Sequence, residues 1–168
     1  MVFDYLEKCY FHGDDMEARS KMQEASNIAG TSFNIAGLGM NHAIAHQLGG
    51  MFHIPHGLAN ALILTQVIKM NAQDAYMKSR YATLARKNGF ATEQDSDDVA
   101  VNNLCNKIEE CMRNMKMPMR ISECKVDANE LRNKLPELCA NALKDGCVGS
   151  ARKVFSTQEI ESVLLSVL

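Results

Sequence analysis

Four of the chain's five histidines lie within the fifteen residues from His42 to His56, and glycines bracket them. The run reads Gly37-Leu-Gly39-Met-Asn-His42-Ala-Ile-Ala-His46-Gln-Leu-Gly49-Gly50-Met-Phe-His53-Ile-Pro55-His56-Gly57. His42 and His46 are four apart. On a helix that spacing puts both rings on one face, about 5–6 Å apart at Cβ. Pro55 fixes φ at about −65° and Gly57 frees the backbone just beyond His56, so a sharp, defined turn is expected there. Such a turn swings His56 back over the helix end that carries His42. Three imidazoles then converge without any long-range pairing. His53, on the Met51–Pro55 connection, can join or support them. Neutral imidazole is the commonest metal ligand and the usual acid–base group near neutral pH.

The residues alone leave several chemistries open. Zinc-binding helices of the His-Glu-x-x-His type use the same spacing, but Ala43 stands where the glutamate base would be. A metallohydrolase using His42, His46 and His56 as a three-histidine site is one reading; no carboxylate base is visible near them, which weighs against it. A non-catalytic metal-binding or assembly module is another. His12, beside Gly13-Asp14-Asp15, reads as an ordinary surface residue.

From Ala36 to Ala61 the chain resembles, without a gap, the signature of the iron-containing (group III) alcohol dehydrogenases. Asp15–Ser26 is similar to that family's Asp-x-Glu-Ala-Arg-x-x-Met segment. Ala142–Lys153 is similar to its Ala-x-x-Asp-x-x-x-x-x-Pro-Arg segment, with Ser150-Ala151-Arg152 in place of Asn-Pro-Arg, so a different local loop is expected there. The resemblance implies that His42 and His56 bind a divalent metal, iron first and zinc second. It makes His46 the catalytic residue beside nicotinamide and substrate, rather than a ligand paired with His42. His53 is left as a supporting residue of the second shell or the substrate pocket. The implied reaction is NAD(P)-dependent interconversion of a short-chain primary alcohol or diol and its aldehyde.

The resemblance also implies that something is missing. Full-length members are about twice this long and begin with a nucleotide-binding domain. Their other two ligands, an Asp and a His four residues apart, lie upstream of the segment that Met1–Lys8 resembles. No Asp-x-x-x-His occurs in this chain, and no Gly-x-Gly-x-x-Gly follows a strand-like run. The expectation is one helical metal-binding domain over residues 1–168, with NAD(H) or NADP(H) bound through an absent N-terminal domain and no activity from this part alone. A homo-oligomer, or pairing with the missing half, is left open.

Composition agrees with an all-α, multi-helix bundle like the C-terminal domain of that family. Only three prolines occur, and the eleven methionines join plentiful Ala, Leu, Lys and Glu, all strong helix formers. A net charge of −2 gives no support for nucleic-acid or membrane-surface binding. No apolar run reaches the roughly 18 residues that span a bilayer. The first residues lack the features of a signal peptide, so a cytoplasmic location is expected. Six cysteines, none in a Cys-x-x-Cys pair, then read as reduced structural thiols.

Periodicity places helices at Val2–Phe11, from a cap at Asp14 or Asp15 to about Ile35, at His42–Met51, Gly57–Met70, Ala72–Lys87, Ser96–Asn114, Asn129–Leu143 and Thr157–Val167. In the second, Met22, Ala25, Ile28 and Ala29 share one packing face. The fourth is apolar nearly all round and should be buried. Pro136 could begin a new helix if the seventh splits there. Ser156 with Glu159 forms a capping box. No strand pair is evident.

Overall fold

Helices begin in this chain where a side chain can serve the unpaired amides of a first turn. Asp15 accepts from the Ala18 amide, Asp74 from Met77, Ser96 from Val99 and Asp127 from Asn129 and Glu130. Ser156 and Glu159 form the reciprocal box expected of them. The computed structural model describes residues 1–168 and contains helices and turns without a strand. The helices are α1 (Val2–Phe11), α2 (Met16–Ala36), α3 (Gly39–Phe52), α4 (His56–Asn71), α5 (Ala75–Lys87), α6 (Asp97–Asn114), α7 (Ala128–Lys144) and α8 (Thr157–Ser166). Two 3-10 turns, Ile121–Cys124 and Gly146–Ser150, flank α7.

Four expectations need correction. The third helix starts at Gly39 rather than His42, so the glycine lies in its first turn rather than outside it. The fifth helix starts at Ala75 rather than Ala72, because Asp74 is the residue that caps it. Pro136 lies inside an unbroken α7. Proline there removes the hydrogen bond to the carbonyl of Arg132, but both residues are exposed, so water can serve that carbonyl. The packing face expected on α2 stops half-way. Met22 and Ala25 are partly covered, whereas Ile28 and Ala29 are exposed.

The core has two parts that share α4. The larger joins α3, α4, α7 and α8 around Ile44, Leu48, Ile63, Leu138, Phe155 and Ile160. The smaller joins α4, α5 and α6 around Ile68, Ala82, Ala85, Val101, Leu104 and Cys105. α4 therefore packs on both sides, which is why its apolar residues run nearly all round. All six cysteines are unpaired. No helix is long and apolar enough to cross a membrane.

Candidate metal centre

α3 and α4 form a helical hairpin, and the histidines sit at its junction. Burial of Ala43, Ile44, Ala45 and Leu48 fixes one side of α3 in the core. His42 and His46 lie beside that side and are half-buried. The connection is short because His53 ends α3 in the left-handed conformation (φ 56°), Ile54 plugs the core and Pro55 starts α4. His56 is thus the first residue of α4 and projects back toward α3. The ring centroids of His42 and His56 lie 5.2 Å apart, those of His46 and His56 5.5 Å, and those of His42 and His46 6.0 Å. His53 points to solvent and makes no hydrogen bond with the other three.

Each ring nitrogen that has a partner reveals where its proton sits. His46 Nδ1 lies 2.9 Å from Asp145 Oδ2. Burial pushes the Asp145 carboxyl up, but hydrogen bonds from Cys147 and His46 outweigh this and hold it below the usual carboxylate range. An ionised carboxylate only accepts, so His46 Nδ1 carries the proton and Nε2 keeps its lone pair. His56 Nε2 accepts from the Asn60 amide at 3.3 Å, and the same amide nitrogen donates to the His56 carbonyl at 3.0 Å. Asn60 Oδ1 in turn accepts from Asn41 Nδ2 at 2.8 Å. Asn41 Oδ1 is buried without a partner. Burial, followed by the neighbouring His56 and His46, lowers the pKa of His42 against the opposing pull of Asp145. His42 therefore stays neutral to lower pH than an ordinary histidine. Imidazole nitrogens from three histidines beside one carboxylate suit a divalent cation, and the His56 Nε2 lone pair becomes available to it once the Asn60 amide, which also holds the His56 carbonyl, lets go of the ring.

A second arm of the site comes from the far end of the chain. Asp145 ends α7, and its Oδ1 accepts from the Cys147 amide at 2.8 Å, which starts the turn Gly146–Ser150. Ser150 Oγ accepts from the Gly39 amide at 3.2 Å and donates to the Cys147 carbonyl at 2.9 Å. The serine in place of the family's asparagine thus clips the turn onto the start of α3. Gly37 makes this close approach feasible: its φ is 76°, and a Cβ there would lie 2.1 Å from that of Ser150. Arg152 is not part of the histidine cluster. Its Nε lies 3.3 Å from Asp74 Oδ1 and its guanidinium covers the Tyr76 ring at 4.4 Å, bracing the loop against α5. A cleft of about 520 Å³ opens between this loop, α4 and His42.

His46, Asp145 and Cys147 are the residues whose donor atoms all lie within 4.8 Å of one another. Asp145, Cys147, Asn41 and Asn60 were not singled out from the sequence. Asp145 had a signal, since it fills the Asp of the Ala142–Lys153 segment. The asparagines lie inside the histidine signature. Nothing in the sequence marks Cys147.

Residues 1–168, the whole chain, match the profile of the Fe-containing alcohol dehydrogenase family, C-terminal. The chain belongs to the iron-containing alcohol dehydrogenase family. It is 39% identical over its full length to the 1-propanol dehydrogenase PduQ of Salmonella typhimurium, spanning 45% of that protein. It is 34% identical over 97% of its length to the NADPH-dependent butanol dehydrogenase of Clostridium saccharobutylicum, spanning 40% of it. Among solved structures, that of 1,3-propanediol oxidoreductase superposes on 99% of the chain with a TM-score of 0.91 and 29% identity, and 42% of that protein is covered. The chain therefore spans less than half the length of these relatives. The all-α fold is that of the C-terminal part of an iron-containing alcohol dehydrogenase, and membership implies a divalent metal and a nicotinamide cofactor.

Proposed function

We propose that this chain is the metal-bearing half of an NAD(P)-dependent alcohol dehydrogenase acting on a short-chain primary alcohol or diol and its aldehyde. The observation that carries this reading is the convergence of His42, His46 and His56 on one end of the α3–α4 hairpin, with Asp145 behind His46. The substrate class is supported by the names of the relatives, which act on propanol and butanol. In this reading residues 1–168 form one domain, and the nucleotide site and the other metal ligands belong to a half this chain does not contain. Six unpaired thiols support a reducing compartment, and we assign the protein to the cytoplasm.

His42 and His56 are the ligands in this proposal, for iron or, in its place, zinc. A divalent cation held there supplies Lewis-acid polarisation of the alcohol or carbonyl oxygen. The hydride chemistry is that of the nicotinamide. His46 works on the proton. With Nδ1 committed to Asp145, the lone pair of the neutral ring is on Nε2, which can take the alcohol proton and return it in the reverse direction. Asp145 stabilises the imidazolium formed in that step and fixes the ring's orientation. Asn60 holds the His56 ring in place, and Asn41 holds Asn60.

Asp145 also provides the carboxylate that a three-histidine metallohydrolase would need. It is engaged with His46 and the Cys147 amide rather than free to activate water, so the dehydrogenase reading is preferred. The test is turnover of 1-propanol by the full-length protein with NAD or NADP, before and after chelation. Activity is expected to vanish with the metal and return with Fe(II). Undiminished activity in metal-free enzyme would overturn the proposal.

A further inference from the structure

The donors around Asp145 include one that the reaction does not use. Cys147 is half-buried, and its sulfur joins His46 and Asp145 within the 4.8 Å group. Two distant places in the chain supply them: His46 from α3, and Asp145 with Cys147 from the turn after α7, 99 residues further on. Asp145 brings Cys147 back on itself by accepting its amide. One nitrogen, one oxygen and one sulfur are the donor types that zinc takes, at about 2.0–2.3 Å in a tetrahedron. Those bond lengths space neighbouring donors about 3.3–3.7 Å apart. The His46–Asp145 separation of 2.9 Å and the 4.8 Å limit bracket that range. Shifts of about 1 Å bring the donors to those spacings. Each residue retains some exposure, so an ion can enter and water can take the fourth position. Thiolate favours zinc and cobalt, whereas magnesium and calcium prefer oxygen alone.

We propose that His46, Asp145 and Cys147 form a second cation site for a thiophilic divalent ion such as zinc, separate from the His42/His56 pair. On binding, the Cys147 thiol gives its proton to solvent. His46 ligates through Nδ1, and the proton on that nitrogen moves to Nε2. No electron is transferred. The tautomer shift leaves His46 without the lone pair that accepts the alcohol proton, so zinc at this site inhibits. That consequence rests on the role proposed for His46; the binding itself does not.

Cobalt(II) titration of the 168-residue chain tests the binding. A thiolate-to-cobalt charge-transfer band saturating at one equivalent is expected, and zinc should bleach it while magnesium does not. Cys147→Ser should abolish the band, and the His42→Ala, His56→Ala double variant should keep it. A band that survives Cys147→Ser, one lost in the double variant, or no band at all would overturn the site. Circular dichroism checks that the variants fold. Should Cys147→Ser unfold, Asp145→Asn is expected to weaken cobalt binding at least about tenfold, and unchanged affinity overturns the proposal. In the full-length enzyme, zinc inhibition that Cys147→Ser relieves supports the tautomer step. A filled site without inhibition overturns that step and leaves the metal reading of His42 and His56 untouched.

Discussion

The amino-terminal half holds two helical hairpins, and they treat apolar residues in opposite ways. In α3–α4, Ile44, Leu48 and Ile63 are fully buried. In α1–α2, Ile28 is 51% exposed, Phe33 49% and Ile35 83%. Both second helices show apolar residues at helical spacing. The difference is in neighbours. α4 packs against α3, α6 and α8 and belongs to both core clusters, whereas the main neighbour of α2 is α1. Periodicity tells which residues share a face, not whether another element exists to cover it. The histidine site is built on the covered hairpin, where packing on both sides holds ring positions that chemistry depends on.

The comparison breaks most visibly if the rigid hairpin's histidines prove interchangeable. In the full-length protein, His42→Ala and His56→Ala are expected to lose metal and turnover together. His46→Ala and Asp145→Asn should keep metal and lose rate, for His46→Ala by about 10²–10⁴-fold, as is typical when a proton-transfer group is removed. Elemental analysis beside steady-state kinetics separates the two outcomes. Metal-free His46→Ala with metal-loaded His56→Ala would make His42 and His46 the ligand pair and discard the assignment.

Stability gives the next contrast. Leu48 is fully buried in the larger core cluster. Leu48→Ala should cost about 2–5 kcal/mol, the range for emptying a packed site, measured by urea unfolding with the slope compared to the parent chain. A loss below about 1 kcal/mol would mean that this part of the core is looser than its packing indicates.

How much of this could be read beforehand follows the same division. Several helix starts were legible because caps are local: Ser96 and Ser156 act within three residues, as does Asp15, one of two aspartates open for the second helix, although the equally local cap at Asp74 was missed. The meeting of His42, His46 and His56 was legible because one helix pitch and one proline turn suffice to produce it. Asp145 was not read as the partner of His46, because that contact depends on α7 packing against α3 across 99 residues. The exposed end of α2 was missed for the same reason in reverse, since an absent neighbour leaves no mark in the pattern. Pro136 was read as a potential break because propensity is a local argument, and the continuity of α7 depends on which face meets solvent.

Gly37 marks the seam between the two hairpins, where α2 ends and the turn after α7 meets α3. Its φ of 76° is one that residues with a Cβ rarely adopt, and a Cβ would run into Ser150. Gly37→Ala should cost about 1–3 kcal/mol from the backbone alone, because φ 76° with ψ −178° is a region that essentially only glycine enters. Ser150 must also move, which loosens its bond to the Gly39 amide. Ser150→Ala combined with Gly37→Ala keeps a Cβ at position 150, so the clash and most of the cost should persist. Ser150→Gly in the same background should recover part of it. Full recovery by Ser150→Gly would show that crowding, not the left-handed backbone, makes glycine necessary there.

The smallest effect is expected at Ile28, and it tests the comparison most directly. Half of this side chain faces solvent on the uncovered part of α2. Replacing it by serine removes little buried surface and leaves the N-cap at Asp15 intact. Surface substitutions away from caps and cores usually change stability by no more than about 0.5 kcal/mol. Thermal unfolding of Ile28→Ser should therefore overlay that of the parent chain at every protein concentration. A loss of about 1 kcal/mol or more would mean that Ile28 is covered in solution. If that loss grew with protein concentration, the cover would be another copy of the chain, since only association makes stability depend on concentration. If it did not, the end of α2 would have to fold back onto α1 more closely than Met22 and Ala25 alone allow, and the contrast between the two hairpins would be one of degree.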